Sequence, residues 1–296
     1  MSLFYQRKDS YVFLQATSHK PQATSHKRSV RTLAFLASTF TLFSLSPLSA
    51  EENGVFAEAG FQYSNFTGLS KAPQEAVEAG LLTSTKTSYN GNLFGADIQI
   101  GYKQFFGGSK IFGLRYYGFF SGQGGSGSFK QQYEDDSGNS YWATIKQPAA
   151  NLFYGAGVDM LYNFYENAER TYGVFAGVML GGSSWLMGKS SYKGQCVWQE
   201  TDPQGNPTNC VSMNQFYKQQ MKDLPDGVKG TFSPTYVQFL VNIGFRANFT
   251  QHQGFELGVR IPTINDPYAT VTGGGMKAST TFRRTVAAFA NYVYNF

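Results

Sequence analysis

Few side chains in this chain are spaced to do chemistry. Cys196 and Cys210 fall together in GQCVWQETDPQGNPTNCV. In an oxidising compartment two thiols this close form a disulfide that clips a loop. Neither a histidine nor a further cysteine stands nearby, so a metal site is not expected there. Glu134, Asp135 and Asp136 cluster in QQYEDDSGNSYW, but the spacing lacks a calcium-loop pattern and reads as a solvated tip. Of the three histidines, two sit in the tandem repeat QATSHK at 15–20 and 22–27. The third, His252, lies in the short segment TQHQ with no nucleophile beside it, so no enzyme and no cofactor are expected.

The remaining charges gain meaning from the elements that carry them. From residue 54 onward the apolar period is two. GVFAEAGFQYS (54–64), FGADIQIGYKQFF (94–106), FGLRYYGFF (112–120) and NLFYGAGVDMLYNF (151–164) alternate in this way. So do TYGVFAGVMLGG (171–182), YVQFLVNIGFRANF (236–249), GFELGVRI (254–261) and TTFRRTVAAFANYVYNF (280–296). Each is about the 9–11 residues that cross a bilayer at a tilt. The connections alternate in length: GGSK, YENAER and TQHQ are short, while segments near 65–93, 121–149, 183–235 and 262–279 are long and polar. The pattern predicts an all-β fold, an eight-stranded antiparallel up-and-down transmembrane β-barrel with long extracellular loops and short periplasmic turns. A soluble ligand-binding barrel would turn its apolar face inward and would have no reason to sort loops by length.

On this reading the non-lipid face carries Glu58, Asp97, Lys103, Arg115, Asp159, Arg246, Glu256, Arg260 and Arg283. Mixed signs predict a hydrogen-bonded lumen network, not a one-sign selectivity ring. Inward glycines such as Gly173 and Gly177 leave room for Tyr117 and Phe119. Tyr292, Tyr294 and Phe296 face lipid in the closing strand, as part of an aromatic girdle.

Composition agrees. Aromatic residues make up 17% and charged residues 15% of 296, too aromatic for disorder. No stretch after residue 50 is long and apolar enough for a spanning helix. Residues 1–50 hold six of the 24 bases and one of the 19 acids, leaving 18 of each beyond. A neutral mature chain offers nucleic acid no charge. Residues 27–50, KRSVRTLAFLASTFTLFSLSPLSA, read as a signal peptide, with 1–26 a disordered leader extension and 51–296 the barrel domain.

ENGVFAEAGFQYS, IGYKQFFG with IFGLRYYGFF, VFAGVMLGGSSW, VNIGFRANF before GFELGVRIPTI, and the closing RRTVAAFANYVYNF resemble the Helicobacter outer-membrane protein (Hop/Hor) family. The resemblance implies outer-membrane insertion through a C-terminal aromatic signal, matched by Tyr292, Tyr294 and Phe296. It also implies, as partners, outer-membrane lipids, the barrel assembly machinery and host surface molecules reached through the loops. Members with adhesin function carry a large N-terminal extracellular domain that this sequence does not show, which favours the short, porin-like members. The expected function is therefore a small porin-like channel for ions or small solutes. The alternative is a non-conducting surface-display barrel whose loops, chiefly 183–235, mediate adhesion or host contact.

Overall fold

The computed structural model describes residues 52–78, 84–134, 137–167, 170–202 and 206–296. The expected leader at 1–26, the signal peptide at 27–50 and the loop-tip acids Asp135 and Asp136 lie outside the described residues.

Along the chain come β1 (Gly54–Lys71), α1 (Gln74–Glu78), β2 (Lys86–Phe106), β3 (Phe112–Glu134), β4 (Ser140–Glu166) and β5 (Thr171–Met187). Next are four short strands, β6 (Ser191–Tyr192), β7 (Gln195–Cys196), β8 (Gln199–Thr201) and β9 (Pro207–Cys210), and then α2 (Met213–Gln220). The chain ends with β10 (Lys229–Phe232), β11 (Thr235–Asn248), β12 (Gln253–Pro262), β13 (Asp266–Gly273) and β14 (Met276–Asn295).

The order β1-β2-β3-β4-β5-β11-β12-β14, closed by β14 on β1, is an antiparallel ring of eight strands. Closure leaves no sheet edge inside the ring, which is what a strand-built membrane crossing requires. The C-terminal residue is part of it: the Phe296 amide donates to the Val55 carbonyl at 3.0 Å. The exposed His252 secures the same end, with its carbonyl accepting from the Asn295 amide at 2.9 Å and its Nδ1 at 2.8 Å from the Asn295 carbonyl oxygen.

The outer surface near the short turns is apolar. Phe61, Phe94, Ile98, Ile100, Tyr116, Phe120, Val158, Met160, Leu180, Ile243, Phe245, Leu257 and Tyr292 all point out and are exposed. Tyr294 and Phe296 continue the band. Rings exposed in this number face acyl chains, not water.

The strands run well past the band, and here the structure departs from the sequence reading. Much of the segments expected as loops near 65–93, 121–149 and 262–279 is strand. β4 alone has 27 residues, more than twice the roughly 9–11 needed to cross a bilayer. Above the band the two faces exchange character. Asn65, Thr67, Asn90, Asn92, Ser128 and Lys146 now point out, while Phe66, Tyr89, Leu93, Phe129, Ile145 and Phe282 point in and are buried. The alternation persists with its polarity reversed, so a search for apolar residues on the outer face stops where the bilayer stops.

One inward assignment is also corrected. Arg283 is partly exposed on the outer face, and Arg284 is the buried, inward residue. Asn65 pairs with Val286 and Phe66 with Arg284, leaving Thr285 as the extra residue of a β-bulge. One added residue flips every side chain beyond it to the opposite face.

Candidate functional site

The lumen is built around Arg115 on β3. Its Nη1 donates to Glu58 Oε1 at 2.8 Å and to Glu256 Oε1 at 2.7 Å, and its Nε donates to Asp159 Oδ2 at 2.7 Å. The three carboxylates come from β1, β12 and β4, so one guanidinium ties together strands from around the ring. Arg246 Nε approaches Glu256 Oε1 at 3.7 Å, and its Nη1 donates to Asn163 Oδ1 at 3.0 Å. Arg260 Nη2 pairs with Asp97 Oδ2 at 2.8 Å. Lys103 Nζ donates to Asn295 Oδ1 at 2.8 Å. Thus Glu58, Asp97, Lys103, Arg115, Asp159, Arg246, Glu256 and Arg260 all lie buried inside the ring.

Amides that the charge pattern did not single out complete the network. Asn291 Nδ2 reaches Glu58 Oε2 at 3.3 Å, and Asn242 Nδ2 reaches Asp159 Oδ2 at 3.2 Å and Tyr117 Oη at 3.2 Å. Their position on inward faces between apolar outward residues was the available signal.

The lumen is also far more apolar than the sequence suggests. Phe56, Tyr117, Phe119, Phe153, Met179, Leu240 and Val293 form one buried cluster within it, and Phe105, Leu161, Phe175 and Phe289 another. The cations stack on these rings: Arg115 lies 4.5 Å from the Phe175 centroid, Arg260 4.1 Å from Phe289 and Arg284 4.8 Å from Phe153. Glycine makes the space. A Cβ on Gly157 would sit 2.5 Å from the Tyr117 ring, and one on Gly258 2.7 Å from Phe289. Arg115, Asp159 and Arg260 are each 0% exposed, so the middle of the lumen is filled by side chains.

A second, apolar layer closes the upper end. Phe66, Tyr89, Phe129, Trp185, Trp198, Phe216, Tyr217, Tyr268 and Phe282 belong to one buried cluster. Its lid is α2, started by a capping box between Ser212 and Gln215 that satisfies amides at the helix start. Met213, Phe216 and Tyr217 are its buried face. Phe216 packs 5.2 Å from Trp198, and Tyr217 packs 5.5 Å from Tyr268. Asn214 stitches the lid across the mouth: its Oδ1 accepts from the Met187 amide at 2.7 Å and from the Tyr268 hydroxyl at 2.9 Å, and its Nδ2 donates to the Trp185 carbonyl at 2.9 Å. Trp198 Nε1 donates to Gln147 Oε1 at 2.8 Å. Burial pushes the Tyr217 hydroxyl, 3.4 Å from Thr280 Oγ1, up to about 12, so it stays neutral at physiological pH. Cys196 and Cys210 are bonded, with Cα atoms 5.7 Å apart, and fasten the segment leading into α2.

Residues 97–296, from the inward Asp97 to the closing Phe296, match the family described as Helicobacter outer membrane protein. The chain belongs to that family. As a Helicobacter outer membrane protein it places its short turns toward the periplasm and its lid outside the cell. No curated protein sequence matches it. Among solved structures it is similar to OprG of Pseudomonas aeruginosa, at 13% identity over 82% of this chain and 96% of that one, with a TM-score of 0.40. It is also similar to the protease OmpT of Escherichia coli, at 11% identity over 86% and 99%, with a TM-score of 0.35. Ail, the attachment invasion locus protein of Yersinia pestis, is similar at 11% identity over 80% and 98%, with a TM-score of 0.25.

Proposed function

We propose that this outer-membrane barrel does not conduct and that it acts through its extracellular end, as a rigid pedestal presenting the capped segment 188–234 to surface molecules. The observation that carries this reading is the lid: α2 and Trp198 lie over the mouth and join the aromatic layer beneath. A porin-like channel, the reading the sequence favours, is the weaker one. A water-filled path would leave the charges that line it exposed, and the central ones are fully buried. A pedestal role also accounts for strand extensions that a pore has no need of. They carry the lid on hydrogen-bonded sheet instead of on a mobile loop, which lowers the ordering cost of binding.

The test is to display the full chain on a host strain lacking it, beside a variant with residues 188–232 replaced by a short turn. Binding to epithelial cells that is lost with the segment, while the barrel keeps its heat-dependent gel mobility, is the expected result. Equal binding by the two proteins overturns the pedestal reading.

A further inference from the structure

We infer that the outer face of β14, β1 and β2, just above the apolar band, is a binding site for the phosphorylated headgroup of an outer-leaflet lipid. The site is independent of whether the barrel conducts. Register places its residues in two rows. Arg283 lies opposite Thr67, which lies opposite Asn90; one step nearer the band, Asn65 lies opposite Asn92. Beneath them Tyr63 lies opposite Phe94, and the apolar band begins.

The hydrogen bonds here run in one direction. Asn65 Nδ2 donates to Asn90 Oδ1 at 3.1 Å, to Asn92 Oδ1 at 3.1 Å and to the Gly91 carbonyl at 2.9 Å. Tyr63 Oη donates to Asn92 Oδ1 at 2.9 Å, and Thr285 Oγ1 donates to Asn65 Oδ1 at 3.0 Å. The side-chain amide oxygens are thereby used within the cluster. What remains is a set of donors, the amide nitrogens of the exposed Asn90 and Asn92, with the partly exposed Arg283 on the same face two strands away.

Arg283 points out only because of the bulge at Thr285, and bulges commonly re-aim a side chain at a site of use. Above the band the outward residues of β1, β2 and β14 include no carboxylate among the described residues, and Lys71 and Lys86 lie opposite each other higher up. Donors and cations with no competing acid select an anion, and a guanidinium with amides suits phosphate. Position selects the source. The site borders Tyr63, Phe94 and Val286 on a lipid-facing surface, with the small, exposed Ala288 level with Tyr63.

The experiment uses the full chain refolded in neutral detergent, with native mass spectrometry reading retention of bisphosphorylated lipid A against phosphatidylethanolamine. One retained lipid A is expected. Arg283→Ala and the pair Asn90→Ala with Asn92→Ala should each lower its apparent affinity about tenfold, the loss of one charge-assisted contact. Arg170→Ala, in the short turn at the opposite end of the barrel, should leave it unchanged. Gel mobility before and after heating shows that each variant is folded. Retention by Arg283→Ala equal to the parent overturns the site. Displacement of lipid A by inorganic phosphate overturns the lipid as its ligand and leaves a general anion site.

Discussion

Arg115 Nη1 stands 2.7 Å from one oxygen of Glu256 and 2.8 Å from the other, while the same guanidinium binds Glu58 and Asp159. A single cation thus binds carboxylates from three other strands at a place water does not reach. Arg115→Met keeps much of the volume and removes the guanidinium that Glu58, Asp159 and Glu256 share. Stranding buried charge costs about 3–5 kcal/mol, so urea unfolding in micelles should show a loss of that size. A change within error would mean that the network holds water and is not sealed.

Asp266 offers a pH test in the lid. It is buried at the start of β13, neither of its carboxyl oxygens has a hydrogen-bond partner, and burial pushes its carboxyl up to about 7. Its titratable neighbour on the same strand is Tyr268, whose hydroxyl is raised by burial first, then by Tyr217, Tyr89 and Asp266. A carboxyl raised in the folded state gives stability that is complete below the ordinary aspartate range and is lost as pH rises through about 7. Hydrogen exchange in 213–220 and 266–273, corrected for intrinsic rate, should therefore be slower below that pH than above it. Asp266→Asn should remove the difference, and an unchanged pH response in that variant would assign it to another group.

Cys196 and Cys210 close a short loop 14 residues apart in sequence. A bridge over a loop of that size contributes about 3 kcal/mol by restricting the unfolded chain. The segment lies outside the ring of strands, so the effect should be local. Cys196→Ser with Cys210→Ser should speed proteolysis within 188–234 and leave the heat-dependent gel mobility of the barrel as it was. Loss of the barrel itself would show that the lid and the ring fold as one unit.

The ring of strands was legible because lipid imposes its own pattern. Each crossing puts residues such as Ile98 and Ile100 outward, and Asp97 and Gln99 inward, with nothing to blur the alternation. The same pattern named the inward charges on β1 to β4, β11 and β12. It failed in three places, each for a physical reason. Outside the bilayer both faces of a strand meet a different solvent, so Asn65 and Phe66 exchange the roles that Phe61 and Gln62 play lower down. At Thr285 one extra residue exchanged Arg283 for Arg284, and nothing in TTFRRTVAAF marks a bulge. The lid was invisible because Trp198, Phe216 and Tyr217 are scattered through a polar segment and meet only when it folds over the mouth.

The central claim is that side chains fill this barrel from its charged middle to its aromatic upper layer. Planar-bilayer recording of the refolded full chain tests it most directly. The filled lumen predicts a silent bilayer across the voltage range in which the membrane itself is stable. Reproducible unitary current steps from folded protein would contradict it.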